Sequence, residues 1–337
     1  MAVQHSAAQS IIFLTSKNNY MKAAVLYGAH DWKIEDRRTP LFGDNECLIK
    51  IKACGVCHSE IHQWETRVEG LEYPRYIGHE VAGEILKVGS HVKQFKVGDR
   101  VAAWADGRGY AEEIAVSTEF LSLISDEIPY EHALSEPIAC TTNAVLRTNV
   151  QLGDTIALVG MGFMGLIMLQ ELRLIGAKKI IAVDVRKEML ELSAKLGADI
   201  QLNPDEHDID LEIKKLTGEK GVDISFEIGG NQSTLDLASQ ICRMEGKLVI
   251  FGYHPGSRII KDLGYWNWMA FDIINAHFRD MKTILNGMKR GMDLFNAGKI
   301  KMDKLITHKF RLDKIEDAFT SAKNKPIGFV KSVIVFD

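Results

Sequence analysis

Thr155-Ile156-Ala157-Leu158-Val159-Gly160-Met161-Gly162-Phe163-Met164-Gly165-Leu166 passes from an apolar β-like run, through a Gly-x-Gly-x-x-Gly turn, into helical spacing that continues to Ile175. A strand that turns tightly into a helix in this way offers backbone N–H groups at a helix N-terminus, where a pyrophosphate can sit. With 28 glycines in the chain the spacing alone would match readily by chance, so the placement between strand and helix carries the reading. The next β run, Ile180–Val183, ends at Asp184, nineteen residues past Gly165, where an acidic side chain is expected to bind the adenosine ribose hydroxyls. Gly160, Gly162, Phe163, Met164, Gly165, Asp184 and the neighbouring Arg186 are therefore the expected dinucleotide contacts. Asp184 would repel a 2′-phosphate and so favours NAD over NADP; Arg186 and Lys187 pull the other way. The alternative is a glycine turn that serves only an α/β sheet.

Outward from this stretch the rhythm stays strand, loop, helix: Glu188–Leu196 reads as a helix, and Asp223–Glu227 and Lys247–Phe251 as strands. Such alternation calls for a parallel sheet with helices on both faces. Toward the N-terminus the pattern differs. Ala23–Leu26, Cys47–Ala53, Val81–Val88, Arg100–Trp104 and Tyr110–Val116 are short β runs separated by Gly, Pro, Asp and Asn, as in a small antiparallel or barrel-like unit. Past about residue 285 the chain returns to a helix (Lys314–Ala322) and a closing β run (Ser332–Phe336).

The length of 337 residues exceeds one comfortable core, so two domains are expected. Hydrophobic content of 46% with 26% charged residues is that of a soluble globular protein. The net charge of −4 gives no electrostatic footprint for nucleic acid, and no apolar run reaches the roughly 18 residues of a membrane span. Five scattered cysteines fit reduced thiols, with a metal ligand among them, better than a disulfide framework, which points to the cytoplasm. In residues 1–20 the apolar run Ile11–Leu14 is too short for a signal-peptide core, and the stretch reads as a loose N-terminal extension.

Metal chemistry is signalled before the glycine loop. A catalytic zinc needs three protein ligands and an open fourth position. Cys54-Gly-Val-Cys57-His58-Ser59-Glu60-Ile61-His62 gathers two thiols, two imidazoles and a hydroxyl, and Gly78-His79-Glu80 adds an imidazole beside a carboxylate. A closed structural site lacks a second Cys-x-x-Cys or a His pair to complete it, and a redox dithiol lacks a thioredoxin-like setting.

Taken together, Gly55-Val-Cys57-His58-Ser59-Glu60-Ile-His62, Gly78-His79-Glu80, Gly98-Asp99-Arg100-Val101, Glu136-Pro137, Gly160-x-Gly-x-x-Gly165 and Lys331-Ser-Val-Ile resemble, in this order and from about Met21 to Asp337, the zinc-dependent medium-chain alcohol and polyol dehydrogenases. The resemblance implies an α/β fold: a GroES-like β-barrel-type catalytic domain over 21–143, completed by 290–337, and a Rossmann doubly wound domain over 144–289. It implies Cys57 and His79 as zinc ligands, with Glu136 as the third, as in the polyol branch, and Cys140 as its rival. Glu80 then becomes a neighbouring carboxylate that exchanges with zinc-bound water. It also implies a proton relay through Ser59 and His62, for which an imidazole's near-neutral pKa is suited. His58 and Lys331 resemble the family's contacts to the pyrophosphate, and Trp64 and Trp104 its pocket-lining aromatics.

The four-cysteine lobe that holds a second zinc in some members is missing between Gly98 and Ala111, so one zinc per subunit is expected. The implied activity is reversible oxidation of a secondary alcohol, such as a polyol, sugar alcohol or cyclitol, to the ketone with hydride transfer to NAD. An alcohol/aldehyde reductase or threonine-type dehydrogenase remains open, as does a non-catalytic nucleotide-binding protein. The implied partners are a small alcohol or ketone and further copies of the chain in a dimer or tetramer. Tyr265-Trp266-Asn267-Trp268 and Asn275-Ala-His277-Phe-Arg279-Asp280 fit either the cleft or an oligomer interface.

Overall fold

The computed structural model describes residues 20–68 and 70–337. The expected N-terminal extension lies outside these residues apart from Tyr20, which opens the first strand. Strands β1 (Tyr20–Leu26) and β2 (Trp32–Arg38) form a hairpin of their own. β3 (Glu46–Gly55), helix α1 (His58–Glu65), β4 (Glu80–Val88), β5 (Arg100–Trp104), β6 (Glu113–Ser117) and β7 (Leu121–Leu123) follow, and α2 (Ser135–Thr148) leads out of this unit.

The second unit alternates as its sequence requires. It contains β8 (Thr155–Val159), α3 (Phe163–Ile175), β9 (Lys179–Val183), α4 (Lys187–Leu196), β10 (Ile200–Leu202), α5 (Ile209–Thr217), β11 (Val222–Glu227), α6 (Gln232–Ile241), β12 (Cys242–Ile250), α7 (Leu263–Met269) and β13 (Asp272–Asn275). Its sheet is parallel throughout in the order β10-β9-β8-β11-β12-β13. The order reverses between β8 and β11, the switch point beyond whose carboxyl ends ligands bind in such folds. Gly176, Gly197 and Gly218 end α3, α4 and α5 in left-handed conformation, which spares a Cβ clash at each helix stop.

Helix α8 (Met281–Asn296) brings the chain back, and β14 (Ile306–Arg311), α9 (Ile315–Asn324) and β15 (Lys331–Val335) finish it. β15 pairs antiparallel with β3, so the last strands complete the first sheet, ordered β14-β15-β3-β4-β5-β7 with β6 also on β3. The boundaries expected at 143/144 and 289/290 fall inside α2 and α8, two helices packed on each other. Gly287 and Gly291 permit that approach: a Cβ at 287 would meet Asn143 at 2.3 Å, and one at 291 would meet Thr142 at 2.5 Å. One hydrophobic cluster runs from Ala82, Ala102 and Leu134 through Ile138 and Met288 to Leu158, Leu166 and Phe226, so the two units share a core.

Candidate active site

Three strand ends meet where the two units face each other. Register does this: Gly55 at the end of β3 pairs with Glu80 at the start of β4, Glu80 pairs with Trp104 at the end of β5, and Val333 of β15 pairs with Gly55. Cys57, two residues beyond β3, and His79, just before β4, are thereby brought together although 22 positions apart. Gly55 is required at this point, since a Cβ there would lie 2.0 Å from the Glu80 carboxylate. Cys54 takes no part: it is fully buried in the first unit's core, and burial holds its thiol well above the usual range.

The ligand atoms of Cys57, His79 and Glu80 lie within 4.8 Å of one another. A sulfur, a nitrogen and an oxygen donor at this spacing match a catalytic type of zinc site, with one position left for substrate or water. Both Glu80 carboxylate oxygens lie 2.7 Å from Lys331 Nζ, Oε1 accepting a hydrogen bond and Oε2 completing the ion pair, so this buried carboxylate is already held by a cation beside the Cys57–His79 pair. Ser59 Oγ donates to Cys57 Sγ at 3.3 Å. Glu136 lies on the same cavity wall outside the trio, accepting from Cys140 Sγ at 3.3 Å. Burial raises the Glu136 pKa and the nearby Glu80 adds to this, against the pull of His79.

His79 is oriented from behind. Its Nδ1 lies 2.7 Å from Glu60 Oε1, which also accepts from the Gly78 N–H at 2.7 Å. The other Glu60 oxygen accepts from the Tyr110 hydroxyl at 2.5 Å and the Cys57 N–H at 3.4 Å. Burial alone would raise the pKa of Glu60, but His79 and the donated hydrogen bonds outweigh it and hold the carboxyl below its ordinary range. Burial would likewise lower the pKa of His79, and Glu60 and Cys57 reverse that. A metal would therefore compete with a proton for His79 Nε2, since Nδ1 is turned to the Glu60 carboxylate.

A cavity of about 830 Å³ joins this corner to the glycine loop. Gly160 adopts φ +111°, and a Cβ on Gly165 would strike the Gly160 carbonyl at 2.2 Å, so both glycines are required by the turn. No side chain caps the N-terminus of α3, so its first N–H groups, at Phe163 and Met164, remain available to an anion. The Asp184 carboxylate accepts from the Met161 N–H at 2.7 Å and the Arg186 N–H at 2.9 Å, locking the loop to the end of β9. These features fit a dinucleotide laid across the switch point, with its far end beside the Cys57 corner.

Two family descriptions match: "Alcohol dehydrogenase GroES-like domain" over residues 43–124 and "Zinc-binding dehydrogenase" over residues 164–287. Sorbitol dehydrogenase of Bacillus subtilis is 34% identical, over 90% of this chain and 93% of that protein. The chain belongs to the zinc-dependent medium-chain alcohol and polyol dehydrogenases. (R,R)-butanediol dehydrogenase of Bacillus subtilis is 31% identical over 89% of this chain and 95% of its own. The crystal structure of 2R,3R-butanediol dehydrogenase from that organism superposes with a TM-score of 0.81 at 28% identity, covering 94% of this chain and 100% of its own. The expected fold is thus the observed one, and the protein is a zinc-dependent oxidoreductase of secondary alcohols or polyols.

Not every residue singled out in the sequence faces the cavity of this dehydrogenase. Cys57, His58, Ser59, His79, Glu80, Trp104, Glu136, Gly160, Gly162, Phe163, Met164, Asp184, Arg186 and Lys331 line it, and Gly165 supports the turn. Trp64 does not: α1 turns it into the first unit's core against Phe319, and its Nε1 donates to Glu316 at 2.8 Å. The pocket expectation for Trp64 is corrected by the amphipathic geometry of that helix. His62, half-buried on α1, is also off the cavity wall. Lys331 is on the wall but committed to Glu80. Of the later aromatic motif, Trp266 enters a core and Trp268 is 76% exposed, whereas His277, Phe278 and Arg279 reach the cavity.

Glu60 and Tyr110 were not singled out by sequence. The signal for Glu60 was the Cys57-x-x-Glu60 spacing of a capping box, which puts its carboxylate back at the helix start. Nothing local marks Tyr110, which arrives through the pairing of distant strands.

Proposed function

We propose that this dehydrogenase oxidises a hydroxylated secondary alcohol, such as a sugar alcohol or cyclitol, with NAD, using one zinc held by Cys57 and His79 with a carboxylate. The observation that carries the reading is that the Cys57, His79 and Glu80 donors stand at one end of the same crevice as the glycine loop. Bound there, zinc supplies Lewis-acid polarisation of an alcohol oxygen, and the nicotinamide supplies the hydride acceptor.

The chain's own part is to orient, withdraw a proton and exclude water. Ser59 Oγ, on the wall and next to Cys57, would take up the alcohol proton as it passes its own hydroxyl proton on, and His62, off the wall on the next turn of α1, would exchange the released proton with solvent. Glu80 and Glu136 are the two carboxylates available as third ligand: the Glu80 donor groups with those of Cys57 and His79 but is ion-paired to Lys331, whereas Glu136 lies on the same wall free of a cation partner among the described residues. Asp184, already hydrogen-bonded to the glycine loop, puts a carboxylate at the ribose position and supports NAD. Trp104, Asn143, His277 and Phe278 supply the mixed apolar and polar wall that a polyol needs.

A homo-oligomer is part of the same reading. β13 is an edge strand whose Ile273 is 48% exposed, and an open apolar edge is a pairing surface. Light scattering that returned a monomer mass would remove that element. The activity is tested by initial rates on a panel of sugar alcohols, cyclitols, diols, simple secondary alcohols and threonine, each with NAD and NADP. The expected result is highest kcat/KM on a polyol with NAD; preference for a monohydric alcohol, or for NADP, would overturn the corresponding part.

A further inference from the structure

Seven cationic or imidazole side chains line the crevice; His79 is bonded to Glu60, His277 lies against the Gly252 carbonyl and Arg279 donates to the Phe278 carbonyl, which leaves His58, Arg186, Lys325 and Lys331. Three of them are accounted for. Lys331 Nζ lies 2.7 Å from Glu80. Arg186 donates to the Phe329 carbonyl at 3.1 Å and stands 3.6 Å from Asp184. His58 is pushed toward its neutral form by burial and by the charges of Lys325 and Lys331. Lys325 is different: among the described residues its ammonium forms no ion pair and no hydrogen bond.

The backbone makes its presence more informative. Lys325 ends α9 at φ 46° and ψ 63°, with its N–H on the Ser321 carbonyl. This left-handed stop is the place where glycine serves a helix best, and an L-residue there costs about 1–2 kcal/mol. The long side chain is held at a position the fold alone would give to glycine. It also faces a like charge. Desolvation and then the Arg186 guanidinium push the Lys325 pKa down, with Asp184 opposing. Arg186 comes from the loop after β9 and Lys325 from the loop before β15, so the two cations enter the crevice from different units, the Arg186 guanidinium reaching over to the Phe329 carbonyl of the segment that carries Lys325. An oxyanion placed between them would relieve the repulsion and gain charge-assisted hydrogen bonds.

We propose that Lys325 is a phosphate ligand of the dinucleotide, contributed by the catalytic domain to the crevice that Arg186 and the glycine loop also line. The inference rests on the dinucleotide reading of that loop and adds the residue that reaches it from the other domain. It takes over the free-cation role that the sequence had given to Lys331. The phosphoryl group is either the bridging pyrophosphate or the 2′-phosphate of NADP, and the two are separable by ligand choice.

The test is binding, not turnover. NADH and NADPH are titrated into the zinc-loaded full-length wild type, Lys325→Gln and Lys325→Gly, following nicotinamide fluorescence. Loss of one charge-assisted bond weakens binding roughly tenfold or more. Equal weakening toward NADH and NADPH in both variants supports the pyrophosphate; weakening confined to NADPH supports the 2′-phosphate. Lys325→Gly should melt at or above the wild-type temperature, because it relieves the left-handed strain, so weaker binding cannot be ascribed to a damaged fold. Affinities within twofold of wild type for both ligands in both variants would overturn the proposal. A wild type that binds neither ligand at millimolar concentration would instead bring down the dinucleotide reading, and the proposal with it.

Discussion

Glu60 governs how His79 is presented. It receives hydrogen bonds or close polar contacts from His79, Gly78, Tyr110 and Cys57 while almost wholly buried, so its removal strands several donors at once. Glu60→Ala is expected to lower zinc affinity by roughly 10–100-fold, the usual effect of losing an outer partner of a metal-binding histidine. Competition with a chromophoric chelator measures this, and an affinity equal to wild type would contradict the orienting role. Glu171 offers a test remote from the site. Buried beneath Thr141 and Thr142, it accepts from their hydroxyls at 3.2 and 2.6 Å, and burial raises its pKa to about 8. The folded pKa lies above the unfolded one, so the stabilisation is full below the ordinary carboxyl pKa and is lost as pH rises toward about 8. Across that window the loss amounts to about 5 kcal/mol at most, at 1.36 kcal/mol per unit. Glu171→Gln should therefore gain in melting temperature relative to wild type as pH rises from 5 to 9; a gap that does not change with pH would sink the assignment. At this scale the sequence was informative about ligands and silent about their supports. Cys57 and His79 stand in local motifs, whereas Tyr110 reaches Glu60 only through strand pairing, and Trp64 was misread because an aromatic after a motif looks the same whether it faces cavity or core.

Helices α2 and α8 set two magnitudes against each other. Replacing an interior helix glycine by alanine gains about 1 kcal/mol in propensity. At Gly287 and Gly291, however, the new methyl would meet Asn143 at 2.3 Å and Thr142 at 2.5 Å, and overpacking of a tight contact costs about 1–3 kcal/mol. Gly287→Ala and Gly291→Ala are both expected to lower the urea midpoint, and a rise in either would contradict the close packing. The same glycines explain why α8 was not read from sequence: they interrupt its helical pattern for the sake of a neighbour more than 140 positions away. The β8–α3–β9 unit was legible for the opposite reason. Its apolar runs, glycine turn and closing Asp184 are all local, and each sits where the pattern put it. β2 was invisible because its sequence, Trp-Lys-Ile-Glu-Asp-Arg-Arg, is mostly charged and has no buried residue to impose alternation, although its hairpin partner β1 is buried over Ala23–Leu26.

The whole molecule joins a metal corner and a nucleotide loop that belong to different units. The chain crosses between them on α2 and α8, a shared core runs through the junction, and β15 returns to complete the first sheet. The two-unit plan was legible in the change from short β runs to β-α alternation. The boundary was not, because paired helices crossing a junction look like any other helices until their partner is known. The crevice between the units is where the chemistry follows from the fold, since strand register delivers Cys57, His79, Glu80 and Lys331 to one end, and the switch point delivers the glycine loop to the other. Among the described residues no helix is long and apolar enough to cross a membrane. The most direct test is to measure zinc content, NADH binding and polyol oxidation side by side in the wild type and Cys57→Ala. The expected result is about one zinc per chain in the wild type, with metal and turnover lost together in the variant while NADH still binds. A Cys57→Ala protein that kept both its zinc and its turnover would contradict the assignment of this corner as the catalytic metal site.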